Sequence, residues 1–224
     1  MIAVKTETAM DNKLDTKDWE RANMQVFWGE MAPCDHVVQI YENDEVFLDL
    51  LEGFVTGGFK SGDGVIVIAT AEHLDALNQR LRTHGFDLFS LTLRDLYIPL
   101  NDRETLSQFM INGWPDENLF YHLLTKLLFR ARKKNRQVRA FGEMTALLLA
   151  QGHSGASVHL EHLWSRFCET EAFCIFCAYP RSGFTEDANA SIMNICGCHA
   201  KMIARLSKSA PELLYKNIAQ KIVG

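Results

Sequence analysis

No run of about 18 apolar residues occurs in this 224-residue chain, which sets aside a membrane-spanning helix. The opening stretch "MIAVKTETAMDNKLDTKDWERANMQVFWGE" has no apolar h-region and no small-residue cleavage pattern, so it does not read as a secretory signal. Internal repeats and low-complexity tracts are absent too, which sets aside solenoids and disordered arrays. Positive charge is scarce. The 23 Lys and Arg stand against 28 Asp and Glu, giving a net charge of -5, too little for a broad electrostatic footprint on nucleic acid. The one dense basic run, Arg130, Arg132, Lys133, Lys134 and Arg136, follows an amphipathic helix and reads as a solvated helix C-terminus complementing the dipole. His159 and His162 flank Glu161 without forming H-E-x-x-H, and Gly152-His153-Ser154-Gly155 lacks the G-x-S-x-G spacing, so no zincin helix or nucleophile elbow is present. The expectation is a cytoplasmic protein whose six cysteines are thiols.

What remains is 47% hydrophobic, ample for the core of one generous domain with short appendages. The stretch "GFVTGGFKSGDGVIVIATAEH", Gly53 to His73, has the ingredients of a phosphate loop but not its register. Gly53 and Gly58 are correctly separated, yet Phe59 intervenes before Lys60 and Ser61. The order is reversed as well, because a phosphate loop follows a strand and opens a helix. Here an amphipathic segment comes first, expected to end at Gly57-Gly58, and a turn through Ser61-Gly62-Asp63-Gly64 leads into the strand 65–69.

Periodicity and punctuation outline the rest. Residues 1–33 read as an arm or short docking helix with Trp19, Phe27 and Trp28 as anchors, and 37–41 as a first strand. A helix capped by Asn43 or Asp44 presents Val46, Phe47, Leu50, Leu51 and Phe54 on one face. Further strands are expected at 91–98, 138–141 and 173–178. Helices are expected over 72–84, 102–110, 118–133, from 142 through 150, and to Glu169 with Ser154 or Ser157 as cap. Two last helices are expected near 186–206 and 211–222. Strands alternating with helices, two of them continuously apolar, predict an α/β fold with a mostly parallel central sheet covered on both faces.

Such sheets bind ligands beyond the carboxyl ends of their strands. That edge carries Tyr41 and Glu42, Thr70 and Glu72, Gly142 and Glu143, and Tyr179 with Arg181. Glu143 can stabilise a helix start or face a ligand, while Glu72 is read foremost as a helix-start carboxylate. Arg139, four residues upstream of Glu143, need not pair with it. Two phenols and two carboxylates at one edge suit a polar-rimmed pocket. At the opposite edge stand Cys34 and His36, and the expected helix after the last strand carries Cys196 and His199 on one face, a second set able to form a tetrahedral metal site. Cys174 and Cys177 form C-x-x-C within a strand, so their side chains point to opposite faces and lack the helix N-terminus of a redox motif.

The segments "HVVQIYEN", "VRAFGEMTALL", "VHLEHLWSRF", "FCAYP" and "NICGCH", in this order, resemble the MEDS domain, the sensory domain named from methanogen and methylotroph proteins and a regulator of dichloromethane dehalogenation. The resemblance covers roughly residues 34–204, and its motifs include His36 and His199 but not Cys34 or Cys198. It implies a RecA/KaiC-like fold without a working phosphate loop, serving bacterial or archaeal regulation and recognising small hydrocarbon-derived molecules. The domain division expected is an arm over 1–33, a sensory domain over 34–206 and a C-terminal helix over 207–224. No output module accompanies it, so stand-alone sensing is expected.

The reading is therefore a non-catalytic sensor without cofactor, binding a small organic ligand through Tyr41, Glu42, Thr70, Glu72, Glu143, Tyr179 and Arg181 and signalling to a regulatory partner protein. Neither nucleic acid nor membrane is an expected partner, and a homodimer is left open. One alternative is a nucleotide-binding or ATPase-like RecA-type protein. Another is a metal or thiol sensor built on Cys34, His36, Cys196 and His199.

Overall fold

The computed structural model describes Trp28, residues 31–184, and the strand segments 201–204 and 212–215. Its centre is a run of five parallel strands, β1 (His36–Tyr41), β2 (Gly64–Ala69), β3 (Tyr97–Asn101), β6 (Val138–Gly142) and β7 (Cys174–Pro180), in the order β3-β2-β6-β7-β1. Two strands extend it beyond β1. β8 (Lys201–Ala204) pairs parallel with β1, and β9 (Glu212–Tyr215) pairs antiparallel with β8. The connecting helices are α1 (Asp44–Ser61), α2 (Ala71–Thr83), α3 (Leu88–Leu93), α4 (Asp102–Ser107), α5 (Glu117–Ala131), α6 (Met144–Ala150) and α7 (Ser154–Glu171). A small hairpin, β4 (Met110–Ile111) with β5 (Trp114–Pro115), sits between α4 and α5. The architecture is the expected one, a single α/β domain with a mostly parallel sheet.

Strand alternation divides the apolar side chains into two cores, one on each sheet face. Val65, Val67 and Ala69 of β2 join Phe47, Leu50, Leu51 and Phe54 of α1 and Leu77 and Leu81 of α2. Ile66 and Ile68 join Leu124 and Leu128 of α5, Met144 of α6, and Leu160, Leu163 and Trp164 of α7. Each such fully buried side chain contributes about 1.5–3 kcal/mol relative to exposure. Trp28 is fully buried against Phe54 and Phe176, with ring centroids 4.9 and 5.2 Å away. Trp19 and Phe27 lie outside the described residues.

Arg139 of β6 is buried on the α1 side. Its Nε and Nη2 donate to Asp63 Oδ2 at 2.9 and 2.7 Å, and Nη1 donates to the Phe54 carbonyl at 3.1 Å. Gly58 makes room for it, since a Cβ there would lie 2.6 Å from Val65 Cγ2 and 2.7 Å from Arg139 Cδ. This corrects the expected end of α1. Gly57 and Gly58 permit close packing inside the helix, which runs on to Ser61 and stops at Gly62 in the left-handed region with φ 77°.

Other boundaries differ for identifiable reasons. The strand expected over 91–98 is helix α3 followed by β3, because the Asp87 side chain caps the Ser90 amide and starts a helical turn. Pro99 is tolerated in β3 because that strand forms the sheet edge. The segment "NGWP" closes the β4–β5 hairpin, with Asn112 and Gly113 at φ 50° and 79° as a primed turn requires. Neither Ser154 nor Ser157 caps α7, since Ser157 Oγ donates to the Thr145 carbonyl at 2.8 Å and no side chain caps the helix at His153. The two terminal helices are corrected where they can be seen, because 201–204 and 212–215 are strands. Pairing with the edge of β1 overrides a local helical pattern there.

Candidate functional site

At the carboxyl ends of β1, β2, β3 and β6 a group of polar residues is drawn together around the start of α2. Thr70 caps that helix, its Oγ accepting the His73 amide at 3.1 Å. Glu143, immediately after β6, is 4% exposed and reaches across to β2. Its Oε2 accepts the Thr70 amide at 2.9 Å and its Oε1 lies 2.7 Å from His73 Nδ1. So Glu143 serves the neighbouring helix and an imidazole rather than capping α6 with its side chain. Arg139, which need not pair with Glu143, is held by Asp63 instead.

Aromatic packing sets the wall of this group. The Phe47 ring stacks on Tyr41 at 4.7 Å and packs against His73 at 4.8 Å and Phe141 at 5.6 Å. Burial, then the charges of Glu143 and Asp44, raises the Tyr41 pKa, so the phenol keeps its proton and acts as a donor. Burial by itself lowers the His73 pKa, but its hydrogen bond to Glu143 and the charges of Glu143, Asp44 and Glu72 outweigh it, and the net shift is upward. His73 is therefore biased toward imidazolium, partnered by a nearly buried carboxylate.

Asp102, just past β3, extends the group. It is 1% exposed; Oδ1 accepts the Arg103 amide at 2.7 Å, while Oδ2 has no hydrogen-bond partner among the described residues. Burial raises its pKa against the pull of Arg103, with Glu72 adding to the rise. Glu72 is exposed in the first turn of α2, where a carboxylate stabilises the helix dipole. Glu42 and Arg181 form an exposed ion pair at 2.6 Å across the ends of β1 and β7.

Tyr179 is separated from the rest of the expected set. Its register partner is Ile40, so Tyr41, one residue further along, points to the other face of the sheet. Tyr179 is fully buried beneath α7, and its hydroxyl donates to Glu161. There a second polar group has formed inside the apolar core. His36 Nε2 lies 3.4 Å from Glu161 Oε2 and 3.4 Å from Cys177 Sγ, and its Nδ1 lies 3.3 Å from Ser165 Oγ. One donor atom from each of His36, Glu161 and Cys177 lies within 4.8 Å of the others. Cys34 is not in this group, and Cys196 and His199 lie outside the described residues. Cys174 points to the opposite core, as expected for its spacing from Cys177.

Sequence reasoning did not single out His73, Asp102, Glu161 or Cys177 as site residues. For Glu161 a signal existed: it recurs in phase with Leu160, Trp164 and Cys168, the buried stripe of α7, where a carboxylate is out of place. For His73 and Asp102 no such signal exists, because both follow strand ends as ordinary helix-start residues. Of the other histidines on α7, His159 stacks on Trp114 at 5.2 Å and His162 is exposed. Four of the five residues of the basic run are engaged locally: Arg130 and Lys133 bind Asp95, Arg132 binds Glu171, and Arg136 donates to the Arg94 carbonyl.

The model of the family described as "MEDS: MEthanogen/methylotroph, DcmR Sensory domain" matches residues 35–200. No curated protein matches the sequence. Among solved structures, the chain is similar to "Structural study of Project ID PH0250 from Pyrococcus horikoshii OT3", with 14% identity, 87% of this chain and 91% of that chain covered, and a TM-score of 0.57. It is also similar to the flagellar accessory protein FlaH from Methanocaldococcus jannaschii, with 11% identity, 91% and 82% coverage, and a TM-score of 0.50. These likenesses place the fold among RecA-like sheets. No helix among the described residues is long and apolar enough to cross a membrane.

Proposed function

The chain belongs to the MEDS family of sensory domains, and on that premise we propose that it binds a small neutral or cationic organic molecule at the carboxyl edge of its sheet and signals to a partner protein. The observation that carries this reading is the Glu143–His73–Thr70 arrangement, a nearly buried carboxylate joining two strand ends to a partly exposed imidazole. Tyr41 adds a hydroxyl donor at the same edge, and Asp102 a buried carboxyl oxygen with no partner among the described residues, which suits a ligand bearing a hydroxyl, carbonyl or amine. The carboxylates Glu42, Asp44, Glu72 and Glu143 disfavour a polyanion.

That charge balance bears on the nucleotide alternative, which the RecA-like neighbours keep in play. In this chain only Glu42 and Asn43 separate β1 from α1, and Asn43 accepts the Glu45 amide at 2.8 Å. Asp44 and Glu45 fill the first turn. A helix start already capped and acidic is a poor phosphate cradle.

Signalling follows as a population shift. Phe47 touches Tyr41, His73 and Phe141, so a ligand that redirects His73 or Tyr41 also changes the seat of α1. β1, whose carboxyl end carries Tyr41, also carries β8 along its free side. A partner reading the β8–β9 ribbon would sense that change.

The test is thermal unfolding with a panel of simple alcohols, amides and amines set beside organic anions and Mg-ATP. Saturation at 100 times Kd adds about 2.7 kcal/mol, and the gain should come from the neutral or cationic compounds and vanish in Glu143→Gln. Stabilisation by Mg-ATP that Glu143→Gln leaves intact would overturn the reading in favour of a nucleotide.

A further inference from the structure

We propose that His36, Glu161 and Cys177 bind one divalent cation of the zinc class, at a site separate from the sheet edge and on the opposite face of the sheet. The three donors come from the start of β1, the middle of α7 and the middle of β7. They are 3%, 0% and 0% exposed, inside a core otherwise built of Leu160, Leu163, Trp164, Phe167 and Ile175. An imidazole, a carboxyl and a thiol converging in apolar surroundings is an expensive arrangement for groups that serve only packing.

Two of the three donor separations fit a metal directly, and all three donor atoms lie within 4.8 Å of one another. Zinc holds nitrogen and oxygen at about 2.0–2.2 Å and sulfur at about 2.3 Å, so adjacent ligand atoms of a tetrahedron stand about 3.3–3.6 Å apart. Both His36 separations, 3.4 Å to Glu161 Oε2 and 3.4 Å to Cys177 Sγ, fall on such edges. The surrounding contacts are those that orient metal ligands. Ser165, one turn beyond Glu161 on α7, meets His36 Nδ1 at 3.3 Å, leaving Nε2 directed at the other two donors. Tyr179 donates to Glu161 Oε1 and leaves Oε2 on the His36 side. A mixed nitrogen, oxygen and sulfur set selects zinc-like cations over magnesium or calcium, which prefer oxygen alone.

Binding replaces the Cys177 S–H bond by a sulfur–metal bond and releases that proton to solvent, with no change of oxidation state. Since β1, β7 and α7 are joined at one point, occupancy would also tie α7 to β1, the strand that carries β8, and to β7 on the other side of β1.

The experiment uses the full chain, dialysed against a chelator and then titrated with Co2+ alone, followed by Zn2+. One equivalent of Co2+ should produce tetrahedral d–d bands and a thiolate charge-transfer band, both bleached by one equivalent of Zn2+. Cys177→Ser should remove the charge-transfer band, whereas Cys174→Ser, on the opposite face, should keep it. Tyr179→Phe should weaken Zn2+ binding about 10–100-fold, the usual effect of removing a partner that orients a ligand. Absence of tetrahedral bands in the unmodified chain, or a charge-transfer band that survives Cys177→Ser, overturns the proposal. Should Cys177→Ser not fold, His36→Gln gives the same decision: unchanged Zn2+ affinity refutes the site, and a loss of 100-fold or more supports it.

Discussion

Glu143→Gln removes a charge while keeping the shape of a side chain that holds two strand ends and an imidazole. The glutamine carbonyl can still accept the Thr70 amide, now at 2.9 Å from Oε2, but the charge-assisted contact with His73 at 2.7 Å is lost. Hydrogen bonds to charged groups contribute about 1.5–3 kcal/mol. The His73 side chain is 18% exposed and Glu143 is 5%, so solvent screening removes little of this, and a loss of about 2 kcal/mol is expected. For a domain of this size that lowers Tm by about 4–8 °C. The pH dependence gives the sharper check. His73 has a pKa raised in the folded state, so the stability it contributes is fully present below its unfolded value of about 6.5 and is lost as pH rises through the folded value. Urea unfolding of both proteins should therefore show the larger difference at pH 6 and a smaller one at pH 9, and the His73 resonance followed by NMR should titrate lower in Glu143→Gln. An equal difference at both pH values, with an unmoved His73 titration, would refute the reasoning.

Three further outcomes follow from the packing. Asp63→Ala leaves the Arg139 guanidinium buried without its carboxylate and should cost about 3–5 kcal/mol in chemical denaturation, whereas the pair Asp63→Leu with Arg139→Met should recover most of it. Gly58→Ala should lower stability by about 1–3 kcal/mol although alanine is the better helix former, because its Cβ would meet Val65 and Arg139; a stabilised variant would show that this contact gives way. Gln39 is fully buried on β1 and neither end of its amide has a partner among the described residues, so Gln39→Met should be neutral or stabilising by about 1 kcal/mol, and a loss above that would reveal a hydrogen bond the amide makes.

Local pattern was enough to lay out the α/β order, the two-sided burial of β2 and β7, the opposed faces of Cys174 and Cys177, and a carboxylate at the β6–α6 junction. Periodicity and strand ends are properties of neighbouring residues, so a sequence carries them directly. Tertiary pairing decided the rest. Which tyrosine faces the edge depended on the register of β1 against β7, and the strands at 201–204 and 212–215 depended on an open edge of β1 that no local window contains. Likewise Glu143 finds His73 across 70 positions and His36 finds Cys177 across 141, meetings set by how parallel strands stack and not by any spacing along the chain.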